Sequence, residues 1–283
     1  MSNIERFGSL DQMTILVTGA TANIGRKVVD HLIAQGAKDI RALTTDPAKA
    51  ALPAEVQAVR GYLRRLETLP AAFEGVERMY LAPAPENVGE VLALAKAAGV
   101  RHIVDLSGEP ESWWGTVCTA VEQSGLEWTH LWPADFMENT LIWSRQIRET
   151  GEVREPWPDA ATAPIAMDDI AAVAATALLS DGHSGRAYPL AGPEIRSRAE
   201  LVEQLGAALR RDIGFRQSTR EDTIAALAPT MGDNATWYVD NVLTGYTPDP
   251  ESLPITSVPD ITGRPGTTFA QWAAANADRF TTA

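Results

Sequence analysis

Apolar runs of four or five residues recur through the first half of the chain, at Thr14–Thr18, Ile40–Thr44, Val56–Arg60, Arg78–Ala82, His102–Leu106 and Glu127–Leu131. Between them, apolar positions fall at helical spacing, most clearly over Ile24–Gln35, Val88–Ala98 and Trp114–Gln123. The short runs predict buried strands and the spaced segments predict helices. Three of the helices stop at a glycine, in Gln35-Gly36, Ala98-Gly99 and Ser124-Gly125, as a left-handed C-terminal cap requires. Strand and helix alternating at this interval predict an α/β protein whose parallel strands are joined by right-handed crossovers, a doubly wound sheet.

From Pro133 onward the alternation loosens. A helix is expected over Phe136–Thr150, then a Pro-rich stretch over Glu155–Pro164. Asp168 and Asp169 are expected to cap and charge-stabilise a helix over Ile170–Leu179, with a paired-carboxylate site as the alternative. A strand near Ala187–Leu190 and helices over Arg198–Arg211 and Thr267–Phe280 complete the reading. The division expected is an N-terminal extension (1–13), a dinucleotide-binding core (14–150), and the remaining sheet elements with a small substrate-binding lobe (151–283), integrated as one domain. Within the last part, Ala191–Pro259 reads as the lobe.

Charge narrows the partners. A formal net charge of −13 over 283 residues repels phosphate backbones and acidic membrane surfaces, and Arg64-Arg65 and Arg210-Arg211 read as solvated faces. No nucleic-acid or membrane partner is expected. Met1–Met13 lacks the apolar stretch of a signal peptide, and no run reaches the ~18 apolar residues of a spanning helix. Cys118 is the sole cysteine, which leaves no intrachain disulfide and no cysteine-built zinc site, and fits a small buried apolar residue. A cytoplasmic location follows as an expectation; oligomeric state is not legible.

The chemistry concentrates where the first strand, Thr14-Ile15-Leu16-Val17, runs into Thr18-Gly19-Ala20-Thr21-Ala22-Asn23-Ile24-Gly25 and then a helix. A strand–turn–helix of this kind points backbone N–H groups and the roughly +0.5 charge of the helix dipole at a phosphate. Gly19 suits the tight turn and Gly25 close packing of helix on strand, while Ala22 stands where the strict fingerprint has glycine. Gly19, Thr21, Ala22, Asn23, Ile24 and Gly25 are therefore the expected diphosphate turn of a Rossmann-type fold binding NADPH or NADH.

Together with this turn, three further stretches matter: Ala97-Ala98-Gly99-Val100-Arg101-His102-Ile103-Val104 followed by Leu106-Ser107, Ser124-Gly125-Leu126-Glu127-Trp128-Thr129, and Pro133-Ala134-Asp135-Phe136-Met137-Glu138-Asn139. With Thr262-Gly263-Arg264-Pro265 and Thr268-Phe269 they make nearly the whole chain resemble the atypical short-chain dehydrogenase/reductases, in their NmrA-like branch. The resemblance implies that Thr44 and Thr45 flank the adenosine ribose and that Leu81, Ala82 and Pro83 lie against the cofactor. Relatives commonly carry at Thr45 an arginine that clamps a 2′-phosphate, so weak discrimination between the two cofactors is expected. Asp46 is free to cap the next helix, and Tyr62 either stacks on the purine or covers the sheet edge.

In that superfamily a serine at the fifth-strand exit works with a tyrosine acid and a lysine four residues on. Ser107 occupies the serine position, but the other two fall at Trp114 and Cys118, which can do neither job. The absence is general: the lysines are Lys27, Lys38, Lys49 and Lys96, and no tyrosine lies between Tyr80 and Tyr188. Ser107 is the expected catalytic residue, orienting a carbonyl oxygen rather than donating a proton. Eight tryptophans are present. Trp113, Trp114, Trp132, Trp143 and Trp157 are expected to line a substrate cleft, where flat indoles suit a polycyclic aromatic by offset stacking. Of the histidines only His130 falls near the cleft, more readily as a core residue; no metal site is expected from ligand spacing. The function expected is an NAD(P)H-dependent ketoreductase for an aromatic, polyketide-like ketone, as in antibiotic tailoring. A quinone reductase and a non-catalytic redox sensor remain the alternatives.

Overall fold

The computed structural model describes residues 13–83, 86–112, 114–243 and 252–281. The extension expected over 1–13 lies outside them apart from Met13. Ten elements follow in order: β1 (Thr14–Val17), α1 (Asn23–Ala34), β2 (Asp39–Thr44), β3 (Val56–Arg60), α2 (Pro70–Phe73), β4 (Arg78–Leu81), α3 (Val88–Ala97), β5 (His102–Leu106), α4 (Gly115–Gln123) and β6 (Glu127–Pro133). Next come α5 (Ser144–Thr150), β7 (Glu152–Glu155), β8 (Ala161–Thr162), α6 (Met167–Leu179) and β9 (Arg186–Leu190).

Seven strands form one sheet in the order β3-β2-β1-β4-β5-β6-β9, and those through β6 pair in parallel. The chain winds outward from β1 to β3, then returns to place β4 on the other side of β1. That reversal is the switch point beside which doubly wound sheets bind ligands. β1 is buried along its whole length and β5 likewise, which is why both read as uninterrupted apolar runs. On one face, α2, α3 and α4 close a core that joins Phe73, Val91, Val117 and Val121 to Leu16, Met79 and Ile103. α6 packs on α1 and on β4, β5 and β6. Its alanines at 171, 172, 174, 175 and 177 are buried, leaving little side-chain bulk between it and its neighbours.

Contacts cluster the chain into two units, one of residues 1–133 with 167–189, the other of 134–166 with 190–283. Residue 150, where the sequence reading divides the chain, falls within the second of these units. Asp168 and Asp169 lie inside the first turn of α6 rather than ahead of it. Asp168 meets the His31 imidazole at 3.1 Å and the Lys27 ammonium at 3.7 Å, both on α1.

The second unit has its own core, in which Met137, Trp143, Ile147, Leu201, Leu205, Phe269, Trp272 and Phe280 meet. The single helix expected over Phe136–Thr150 is a 3₁₀ segment, Met137–Trp143, running into α5. The helix expected over Thr267–Phe280 is two, Phe269–Ala275 and Asp278–Thr281, with a capping box of Thr268 and Gln271 opening the first. Arg198–Leu209 is helical as expected and ends with Arg210 in the left-handed conformation. Arg198 is buried, grips both carboxylate oxygens of Glu155 at 2.8 Å and reaches Asp135 at 3.5 Å. No helix among the described residues is long and apolar enough to cross a membrane.

Candidate cofactor and active site

β1 leads into the turn through Thr18, which is fully buried. Its amide and hydroxyl both donate to the carbonyl of Tyr80, at 3.1 and 3.0 Å, and its hydroxyl accepts from the amide of Ala82 at 2.8 Å. The exits of β1 and β4 are thereby locked together at the switch point. Gly19 takes φ +60°, and a Cβ there would stand 2.9 Å from that of Ala82. A Cβ on Gly25 would lie 2.2 Å from the carbonyl oxygen of Gly19, so only glycine lets the helix approach the turn this closely.

Ala22 is the extended residue before α1, and its amide donates to Gly19 at 2.8 Å. No side chain caps the helix there among the described residues. The first amides of a helix have no partner within it. Those of Asn23, Ile24 and Gly25 therefore face outward from an exposed shelf formed by Thr21, Ala22 and Asn23. An uncapped twelve-residue helix behind a glycine cradle is a fitting receptor for a dinucleotide's phosphates. Ala22 is exposed.

At the end of β2, Thr44 is buried and its hydroxyl accepts from the amide of Asp46, while Thr45 is exposed. Asp46 caps the short 3₁₀ turn Pro47–Lys49 through the amide of Ala48, as expected. Tyr62 is largely exposed beyond β3. Leu81, the last residue of β4, is buried; beyond it Ala82 is partly buried and Pro83 is exposed.

Ser107 follows β5 directly, its amide held by the carbonyl of Leu131 at 3.1 Å. Its hydroxyl is buried and has no hydrogen-bond partner among the described residues, so it is available to a bound group. Neither residue at the tyrosine and lysine positions supplies an acid. Trp114 is exposed at the start of α4, and Cys118 is fully buried, its thiol pushed up to about 11 by burial and then by Glu122. Tyr80 is also fully buried, and burial followed by the charge of Asp105 holds its phenol well above the ordinary value.

The tryptophans divide. Trp113 lies outside the described residues. Trp132 is partly buried and stacks parallel to His130, centroids 6.0 Å apart. Trp143 is a core residue of the second unit: it has no exposed surface, its indole N–H donates to Glu155 at 2.6 Å, and the Arg198 guanidinium lies 4.8 Å from its ring centroid. It has no surface for substrate, which corrects the expectation. Trp157 is exposed on the second unit. His130 is the buried core histidine foreseen, with Nδ1 2.6 Å from Asp105.

A family described as NAD(P)H-binding matches residues 19–109, from the glycine turn to just past Ser107. The chain is 36% identical to an NAD(P)H azoreductase of Xenophilus azovorans, over 94% of this chain and 99% of that protein. It is 34% identical to the (4-alkanoyl-5-oxo-2,5-dihydrofuran-3-yl)methyl phosphate reductase of Streptomyces griseus, with the same coverage of 94% and 99%. Among solved structures, an NADPH-dependent quinone oxidoreductase of Escherichia coli complexed with NADPH superposes with a TM-score of 0.80 at 26% identity, over 93% of this chain and 99% of that one.

Proposed function

The chain belongs to the NAD(P)H-binding, NmrA-like branch of the atypical short-chain dehydrogenase/reductases and is an NAD(P)H-dependent reductase, from which we propose that it reduces conjugated aromatic acceptors of the quinone or azo class. The observation that carries this is the unpartnered Ser107 hydroxyl at the strand exit, with Trp114 and Cys118 standing where a tyrosine and a lysine would supply the acid. A positioned general acid typically contributes ~10²–10⁴-fold in rate. An acceptor whose reduced form is a stabilised anion loses least when that acid is missing, and a quinone oxygen becomes such an anion.

Gly19, Gly25 and the amides at the start of α1 hold the diphosphate in this reading, and Thr44 and Thr45 meet the adenosine ribose. Bound NAD(P)H supplies the hydride. Ser107 donates a hydrogen bond to the acceptor's oxygen or nitrogen and fixes its orientation, while solvent delivers the proton that completes the product. Trp114, exposed at the start of α4, offers an indole face for an aromatic ring.

A second reading, reduction of a ketone on an aromatic or lactone-like small molecule, is favoured by the likeness to the Streptomyces griseus phosphate reductase. Oxidation of NADH and NADPH followed against a panel of quinones, azo dyes and polycyclic ketones separates the two. Turnover with quinones or azo dyes at least tenfold above ketones supports the first. Turnover confined to ketones supports the second, and binding of cofactor with no turnover on any of them overturns both.

A further inference from the structure

α4 and β6 bring together three side chains that the reductase reading does not use. Cys118 and Glu122 are four residues apart and so share one face of α4, which looks onto β6 at His130. The Cys118 sulfur, a Glu122 carboxylate oxygen and a His130 ring nitrogen all lie within 4.8 Å of one another. His130 Nε2 is 3.7 Å from Glu122 Oε1. Two ligands on one tetrahedral zinc, with bonds of ~2.0–2.2 Å, stand roughly 3.4 Å apart.

The imidazole is prepared for a ligand. His130 has no exposed surface, and its Nδ1 bonds to Asp105 Oδ2 at 2.6 Å. With Nδ1 donating, the lone pair is on Nε2, which is buried without a hydrogen-bond partner among the described residues. A buried nitrogen lone pair opposite a carboxylate, both of them acceptors, calls for a cation between them. A carboxylate holding the far nitrogen of a ligating histidine is the usual support of a metal site. Trp128 and Trp132 flank the ring, stacked at centroid distances of 4.1 and 6.0 Å, and fix its plane. Glu122, half exposed, is the one ligand that reaches solvent and marks the way in.

The geometry points to a binding site for one divalent zinc ion on Cys118 Sγ, Glu122 and His130 Nε2, with the fourth position left to water. Thiolate, imidazole and carboxylate together suit zinc rather than magnesium or calcium. On binding, the thiol proton leaves to solvent and a sulfur–zinc bond forms. His130 pairs with Asp105, two residues before Ser107, and zinc on these ligands would pin α4 to β6. Sequence spacing does not disclose it, because two ligands come from a helical turn and the third from the following strand.

The test uses untagged, full-length protein. Zinc titrated against a chromophoric chelator should bind one ion per chain with submicromolar affinity. Cobalt(II) substituted for it should give a sulfur-to-metal charge-transfer band. Cys118→Ala should abolish the band. Glu122→Gln, a surface change that leaves the metal-free melting temperature unmoved, should weaken zinc at least tenfold and remove the zinc-dependent rise in melting temperature. Absence of one-to-one binding, a cobalt band that survives in Cys118→Ala, or unchanged affinity in Glu122→Gln would each overturn the assignment, leaving a proton as the cation between Nε2 and Glu122.

Discussion

The α-carbon of Gly25 sits over the carbonyl oxygen of Gly19, so near that a methyl group on the former would lie 2.2 Å from the latter. This contact sets the height of α1 above the turn and with it the position of three unpaired amides. Gly25→Ala is expected to displace the helix, costing about 1–3 kcal/mol of stability as overpacking does. It should lower NADPH affinity more than about tenfold, since the amides that meet the phosphates move with the helix. Gly89→Ala is the control: a Cβ there meets nothing within 4 Å. It should leave NADPH affinity as it is and stabilise α3 by about 0.5–1 kcal/mol. Calorimetric titration and urea unfolding of both variants decide the matter.

Thr45 is exposed at the end of β2, where an arginine fork would face a 2′-phosphate without displacing packed atoms. Thr45→Arg should raise the preference for NADPH over NADH by about tenfold to a hundredfold, through charge-assisted hydrogen bonds worth roughly 1.5–3 kcal/mol. The ratio of kcat/KM for the two cofactors reads it directly. An unchanged ratio would place the adenosine ribose elsewhere.

Ser107→Ala removes a buried hydroxyl that bonds to no described residue, so stability should change little. If the hydroxyl only orients the acceptor, kcat should fall by about tenfold, in line with one hydrogen bond of ~1 kcal/mol or slightly more, and the Kd for NADPH should hold. A fall of four orders of magnitude would make the serine part of an acid relay and refute the orienting role.

His102 provides the pH dependence. It is buried against Thr129, and burial, followed by the charges of Arg78 and His183, lowers its pKa from 6.5 to about 4, opposed by Asp181. The folded protein therefore refuses a proton that the unfolded chain accepts between those values. Stability is whole above about pH 6.5, declines as the pH falls from there, and levels off below about 4. Between pH 7 and pH 5 the loss attributable to this group is about 2 kcal/mol. His102→Gln should flatten that part of the urea-unfolding profile relative to wild type; parallel profiles would show that the imidazole is not responsible.

The strands β1 and β5 were legible because burial on both faces imposes continuous apolar runs. β3 and β5 fall on the very residues that periodicity predicts, and β6 runs only two residues longer. The phosphate turn was legible because steric need for glycine leaves a mark at Gly19 and Gly25. What stayed hidden depends on partners distant in sequence. The buried Arg198 meets Glu155 forty-three residues earlier, and Trp143 looks like a candidate pocket residue until Glu155 is seen to hold its indole. The pairing of β7 with Gly214–Gln217 joins two short, mostly polar segments that carry no alternation to read. Cys118, alone in the composition, gains meaning only beside Glu122 and His130.

The packing of α6 on α1 bears on the order in which this molecule can be completed. A ribosome emits the glycine turn and six strands, then thirty-three residues that belong to the other unit, before the bracing helix exists. Until Leu179 has emerged, one side of the sheet beneath β4, β5 and β6 lacks its cover, and His31 and Lys27 wait for Asp168. The nascent chain thus gains the cover over β4, β5 and β6 only after those thirty-three residues of the other unit have been made.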